Sequence, residues 1–286
     1  MIAWRVFIAA TLWTVAVPAL GADAIASADA VLTAPDGRAV PIRMTWPREA
    51  KRRLPLLVLS HGANGTLDGL VLFQRSLTRG RMVVAPQHLD SESNPDLAKV
   101  DRMKVFPQRV ADMRLVLDSR ATIERVSGKR VDPGRIAAAG HSYGALVAQA
   151  LGGAKVAGMD LRDARVTRVV AFSPPGSLTN FVDAAGWAAM RVPQFVQTGT
   201  ADIVPPIAPK WEAHMASFDA ADVPGSALWV GQGVDHYFGN RIQRLKRAAP
   251  DQGKAFETAL GLADAFLRSA PLVARPDAVT ERLTLK

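Results

Sequence analysis

Apolar positions along this chain fall into short unbroken runs separated by stretches with helical spacing. Leu54-Pro55-Leu56-Leu57-Val58-Leu59 and Met82-Val83-Val84-Ala85 are continuous, as strands buried on both faces are. Between them, residues 67–79 have helical spacing and Gly80 as a stop. Residues 28–47 alternate around a Pro35-Asp36-Gly37 turn and predict an antiparallel hairpin. Residues 107–126 predict one helix, with Val110, Met113, Leu117 and Ala121 on one side and Ser127-Gly128 at its end. Asp132-Pro133-Gly134 reads as a turn, followed by a short strand at 136–139. Further strands are predicted at 166–172, 193–197 and 227–230, and helices at 143–151, 208–218 and 254–267. Strands alternating with helices indicate a mostly parallel sheet covered on both faces. The Pro- and Gly-containing segment 173–191 is long enough for a short lid or pocket wall and too short for a cap domain.

The first residues break this pattern. Arg5 precedes an uncharged apolar run of 12 residues, Val6 to Val17, then Pro18 and the small-residue sequence Ala19-Leu20-Gly21. The run is shorter than the ~20 residues that cross a bilayer, and its order matches a cleaved secretory signal. Residues 1–21 are therefore expected to be a signal peptide and 22–286 a single domain in the periplasm or medium. No integral membrane span is expected after cleavage.

Composition narrows the chemistry. The chain has 286 residues and no cysteine, which excludes disulfides, a thiol nucleophile and Cys-ligated metal. A formal charge of +9 raises nucleic-acid binding. The basic residues are scattered, however, and Lys51-Arg52-Arg53 and the run 241–247 are not interleaved with aromatics. They read as solvated surface, and no nucleic-acid partner is expected.

Gly140-His141-Ser142-Tyr143-Gly144 stands between a predicted strand and a predicted helix. In that context G-x-S-x-G forms a sharp turn that exposes a serine hydroxyl at a helix N-terminus. A serine needs a base, and the base needs an orienting carboxylate. Of five histidines only His214 and His236 follow the serine. His236 ends the loop Gly231-Gln232-Gly233-Val234-Asp235 after the last predicted strand and is the choice for base. His214 lies in a helical pattern near Trp211 and Phe218 and reads as a packing or surface residue. Asp202 follows a strand end and is the choice for acid, while neighbouring Asp235 reads as a loop-shaping residue. Two backbone donors should hold an oxyanion: Tyr143, after the serine, and Ala63, in the loop Ser60-His61-Gly62-Ala63-Asn64-Gly65. Ser60, and His88 with Asp90, read as hydrogen-bonding structure. The Tyr143 side chain and Trp187 could wall an acyl pocket or simply pack. No H-E-x-x-H, Walker loop or dinucleotide fingerprint occurs, so neither metal nor cofactor is expected.

These pieces, in order, resemble an α/β-hydrolase, and within that superfamily the dienelactone-hydrolase-like group that includes platelet-activating-factor acetylhydrolase-type serine esterases. The resemblance runs from Leu54–Gly62 through Val83–His88, Gly140–Gly144 and Val192–Asp202 to His236-Tyr237-Phe238. It implies Ser142, Asp202 and His236 as nucleophile, acid and base, Ala63 and Tyr143 as oxyanion donors, and no large cap. Dienelactone hydrolase itself uses a cysteine nucleophile, absent here, so lactone specificity is not implied; nor does the chain carry the lipase-type His-Gly-Gly-Gly. The expected activity is hydrolysis of small or accessible polymeric carboxylic esters. An amidase or peptidase on the same residues, and a hydrolase-fold binding protein without activity, are the alternatives.

Overall fold

A computed structural model of the protein describes residues 24–101, 104–273 and 278–286. The expected signal peptide, residues 1–21, lies outside the described residues. The chain opens with β1 (Ile25–Thr33) and β2 (Ala39–Pro47), the antiparallel hairpin read from its alternation. Then come β3 (Leu54–Ser60), α1 (Val71–Leu77), β4 (Met82–Pro86), α2 (Val105–Asp118), α3 (Arg120–Ser127), β5 (Val131–His141) and α4 (Tyr143–Leu151). A two-residue ribbon, β6 (Lys155–Val156) and β7 (Met159–Asp160), leads to β8 (Val166–Phe172), α5 (Ala184–Ala188) and β9 (Gln194–Ala201). A 3-10 turn at Trp211–Met215, α6 (Ala216–Ala220), β10 (Ala227–Asp235), α7 (Gly253–Leu267) and β11 (Thr280–Leu285) complete it.

Nine strands form one sheet in the order β1-β2-β4-β3-β5-β8-β9-β10-β11. The six from β4 to β10 run parallel, and antiparallel pairs close both edges. The central strands are apolar throughout because both faces are covered. One face packs Leu56, Val58 and Ala138 against Val110, Met113 and Leu146 from α2 and α4. The other packs Leu57, Leu59 and Ala139 with Phe73 of α1 and Phe256 and Ala259 of α7. No helix among the described residues is long and apolar enough to cross a membrane.

Several predicted boundaries move, each for a local reason. The helix expected at 107–126 breaks at Ser119, whose amide donates to both Leu115 and Val116 carbonyls, so two helices replace one. Asp132-Pro133-Gly134 is not a free turn but a bulge inside β5: Leu54 faces Val131, yet Leu56 faces Ile136. Asp132 accepts from the Gly134 amide at 3.0 Å, so its turn chemistry survives within the bulge. The helix expected at 208–218 is a 3-10 turn running into α6. Segment 173–191 is anchored through buried residues at 173–176, 182, 186–187 and 190, with exposed residues between them. Trp187 on α5 is fully buried in the core with Val182 and Met190, so it does not wall a pocket.

Strand β11 was not foreseen. It covers the edge of β10, and the Trp229 indole donates to Thr280 Oγ1 at 3.1 Å. The ammonium of Lys286 donates to the carbonyls of Phe218 and Ala221 at 2.5 and 2.7 Å. Removing residues 278–286 should expose the β10 edge. Light scattering on heating is expected to begin at a lower temperature than for the full chain, and unchanged onset would mean the edge is protected otherwise.

Candidate active site

The parallel strands end on one side of the sheet, and the predicted chemistry gathers there. Ser142 joins β5 to α4 with φ +54° and ψ −124°. This region is sparsely populated for a residue with a side chain and costs about 1–3 kcal/mol. The neighbours that hold it are glycines. A Cβ on Gly140 would meet the Gly144 carbonyl at 2.1 Å, and a Cβ on Gly144 would meet the Ser60 and His61 carbonyls at 2.2 and 2.5 Å. The elbow is therefore pressed against the end of β3 with no room for a methyl group. Ser142 remains partly exposed at the N-terminus of α4, where the helix dipole favours developing negative charge.

Asp202 lies just past β9 and is fully buried. Its Oδ1 accepts from His236 Nδ1 at 2.7 Å, and its Oδ2 accepts from the Thr198 hydroxyl at 2.8 Å. His236 arrives there because β10 runs irregularly between Gly231 and Asp235, where Asp235 pairs again with Ala201. Gly199 allows the crossing, since a Cβ there would strike the Val234 carbonyl at 2.2 Å. Asp235 shapes the next turn as expected, accepting from the amides of Tyr237 and Gly239 at 2.9 and 3.0 Å. His141 ties the serine elbow to this loop: its Nε2 donates to the His236 carbonyl at 2.7 Å. Burial lowers the His141 pKa to about 3, so the ring is neutral and acts as a fixed donor.

His214 is the residue that sequence reasoning misplaced. It is buried, its Nδ1 lies 2.6 Å from the Pro174 carbonyl, and its Nε2 lies 2.9 Å from Asp202 Oδ1. One ring nitrogen faces a carbonyl oxygen and the other a carboxylate, surroundings that favour the protonated ring. The Nε2 contact is short but bent away from ideal hydrogen-bond geometry, so its attraction is mainly that of charge. Burial opposes the charged ring, yet the Asp202 carboxylate raises its pKa above the ordinary value. For Asp202, burial again pushes the wrong way, and the two imidazoles overcome it and hold the carboxyl well below its usual range. The only hint in the sequence was a second histidine between acid and base, without a strand or loop signal to mark it.

The loop after β3 is braced from beneath by a buried ion pair. Arg109, on α2 and 1% exposed, donates to Asp90 through Nε at 2.8 Å and Nη2 at 2.9 Å. The same guanidinium holds the His61 and Gly62 carbonyls at 2.6 and 2.9 Å and lies 4.8 Å from the centre of the Tyr143 ring. Above it, Gly62 donates its amide to Gln243 Oε1 at 2.9 Å. Gripped on both sides, the loop presents Ala63 exposed next to the elbow. The Tyr143 amide opens α4, where helix N–H groups lack intrahelical partners. The Tyr143 phenol is half-buried, packs on Phe106 and is pushed up to about 12 by burial.

Ser60, His88 and Asp90 are structural, as their sequence setting indicated. The Ser60 hydroxyl lies 2.8 Å from His88 Nε2, and His88 Nδ1 lies 2.9 Å from Asp112. All three are sealed from solvent, and burial keeps His88 neutral. His88 thus donates to Asp112 and accepts from Ser60. Arg38 also reaches Asp112 at 2.5 Å, although burial still raises that carboxyl to about 6. Among the described residues, Asp202, His214 and His236 are the group whose ligand atoms lie close enough to suggest a metal, all within 4.8 Å. Separations of 2.7 and 2.9 Å between these atoms fit shared protons better than ligands spread around an ion.

No family model and no curated protein sequence matches the chain. Solved structures do. A candidate dienelactone hydrolase from Klebsiella pneumoniae superposes with a TM-score of 0.63 at 16% identity, over 86% of this chain and 99% of that one. A thermostable esterase from Pseudomonas putida gives 0.63 at 18%, over 90% and 86%. An esterase from Pyrobaculum calidifontis gives 0.59 at 20%, over 85% of each. The fold is that of the α/β-hydrolases. Within it the mostly parallel sheet, the N-terminal antiparallel hairpin and the helices on both faces agree with expectation, and no large cap is apparent among the described residues.

The charge assigned to His214 has a measurable sign. A histidine whose folded pKa is raised stabilises fully below its unfolded value near 6.5 and loses that contribution as pH rises through the folded value. His214→Gln should therefore be less stable than wild type by roughly 2 kcal/mol at pH 6, with a smaller gap at pH 9. Urea midpoints at both pH values check this, and an equal gap at both would remove the charge from His214.

Proposed function

We propose that the protein is a serine hydrolase of carboxylic esters, with Ser142 as nucleophile, His236 as base and Asp202 as the acid that orients it. The observation that carries the reading is the 2.7 Å bond from His236 Nδ1 to a buried, ionised Asp202. That bond fixes the proton on Nδ1 and leaves Nε2 as the ring's acceptor. Ser142 supports it from the other side, standing on a strained elbow tied to the same loop through His141. The solved esterases and the candidate dienelactone hydrolase of the same fold favour acyl transfer to water over other chemistries.

In this reading Ser142 Oγ attacks the ester carbonyl carbon while His236 Nε2 takes the hydroxyl proton. The carbonyl oxygen becomes an oxyanion, held by the amides of Ala63 and Tyr143. Collapse breaks the bond to the alkoxy oxygen, which leaves as alcohol with the proton from His236. Water then gives a proton to His236 and attacks the acyl-enzyme, and the carboxylic acid departs as Ser142 regains its hydrogen. Desolvation strengthens the oxyanion contacts, each worth about 3–4 kcal/mol in comparable sites. Without a large cap, the reading favours small esters or ester groups on an accessible polymer. It also has residues 1–21 removed on export to the periplasm or the medium, leaving 22–286 as one domain.

Hydrolysis of p-nitrophenyl esters from acetate to octanoate tests the proposal. Wild type is expected to turn over the shorter esters, and Ser142→Ala to lose about 10⁴-fold or more in kcat with its fold intact by circular dichroism. Undiminished turnover in Ser142→Ala, or none on any ester by folded wild type, would refute it.

A further inference from the structure

At the opposite end of the sheet from Ser142 lies a cleft of about 590 Å³ that the esterase reading does not use. Its cations come from four separate stretches of chain. Lys51, Arg52 and Arg53 lie between β2 and β3, Arg79 and Arg81 lead into β4, Arg135 sits in the β5 bulge and Arg268 follows α7. One carboxylate, Asp264, faces these seven basic groups. It is already shared: Arg81 holds Oδ1 at 2.5 Å and Arg268 holds Oδ2 at 2.7 Å. Arg79 is paired with Glu257 at 2.6 Å. Lys51, Arg52 and Arg135 are exposed and have no carboxylate partner among the described residues.

Such convergence is unfavourable without a counter-charge. Arg81 is 4% exposed, and burial, together with Arg268 and Arg79 nearby, lowers its pKa despite Asp264. An anion entering the cleft would relieve that repulsion and gain charge-assisted hydrogen bonds from planar guanidinium groups, which match phosphate oxygens well. The floor beneath the charges is apolar, made by Pro47, Leu54, Pro55 and Leu267. No aromatic ring lines it, so it offers no platform for nucleic-acid bases.

We infer that this cleft is a binding site for a phosphorylated anion, with phosphate oxygens on Arg52 and Arg135 and a carbon skeleton on the apolar floor. The site is separate from the chemistry. Leu54 opens β3 and Ser60 closes it, seven residues that span roughly 20 Å. A phosphate held at the base of the sheet leaves the Ser142 end facing the opposite way. The protein would thus be docked on a phosphate-bearing ligand while its acyl-transfer site stays open. The phosphate could be carried by a lipid headgroup or by a soluble molecule, and the cleft chemistry is the same for both.

Isothermal titration with inorganic tripolyphosphate tests the site. The double variant Arg52→Ala/Arg135→Ala removes two exposed side chains without carboxylate partners. The double variant Lys155→Ala/Arg162→Ala removes the same charge from exposed positions outside the cleft. The cleft variant is expected to bind at least about tenfold more weakly than wild type, and the control within about twofold. Equal loss in both would reduce binding to general attraction by the net charge and overturn the site, as would no binding by wild type. Sedimentation with phosphatidylglycerol vesicles, set against phosphatidylcholine, then assigns the source. Vesicle binding lost only in the cleft variant means a headgroup, whereas tripolyphosphate binding without vesicle binding means a soluble phosphate. A DNA oligonucleotide that outcompetes tripolyphosphate through the same two arginines would replace the proposal with a nucleic-acid site. Ester hydrolysis by the cleft variant is expected at the wild-type rate, which keeps this test independent of the esterase reading.

Discussion

A carboxylate kept ionised away from water is the constraint on which the top of this molecule is built. Removing Asp202 from solvent costs several kcal/mol that only directed donors can offset. The His236 ring and the Thr198 hydroxyl supply hydrogen bonds, and the His214 ring adds a close electrostatic contact. Hydrogen bonds to a charged group contribute about 1.5–3 kcal/mol each. The His214 contact acts in the same direction. His214 accordingly does more than fill space, because its contact helps hold the Asp202 carboxyl well below its usual range. The two rings, with centroids 5.7 Å apart, share one anion from different elements, the 3-10 turn and the loop after β10.

The same end of the sheet depends on close approach as well as on charge. Gly140 and Gly144 let α4 press onto the carbonyls that end β3, and Arg109 grips the His61 and Gly62 carbonyls from below. The strained φ of Ser142 persists because this packing leaves no relaxed alternative. A lysine at position 109 would retain the charge but not the fork that reaches Asp90 and two carbonyls together. Precision near the serine therefore originates on α2, a helix that contributes no reacting group. The basic cleft at the other end of the strands has the reverse character, with more cations gathered than its carboxylates pair.

Much of this was legible from residue order because it rests on local rules. Continuous apolar runs marked β3 and β4, and G-x-S-x-G between a strand and a helix marked the elbow, with α4 at 143–151 as foreseen. Asp202 and His236, which the structure brings together, stand out because each follows a strand end. What escaped reading depends on three-dimensional convergence. His214 joins Asp202 through a turn that resembles an ordinary amphipathic helix in sequence. Arg109 looks like a solvated position on α2, yet it is sealed beneath the loop by folding. Strand β11 is half polar and pairs on a sheet edge, so its pattern was too weak to separate from a tail. The run Lys51-Arg52-Arg53 looked like dispersed surface charge, since Arg81, Arg135 and Arg268 join it only once the strands align.

The central claim is that one serine in this fold is activated, and covalent labelling by a fluorophosphonate addresses it without assuming a substrate. Intact-mass and peptide analysis should find a single adduct on Ser142, absent in Ser142→Ala and formed far more slowly in His236→Gln and Asp202→Asn. An adduct on Ser60 or another serine, or a folded protein that does not react at all, would contradict the account.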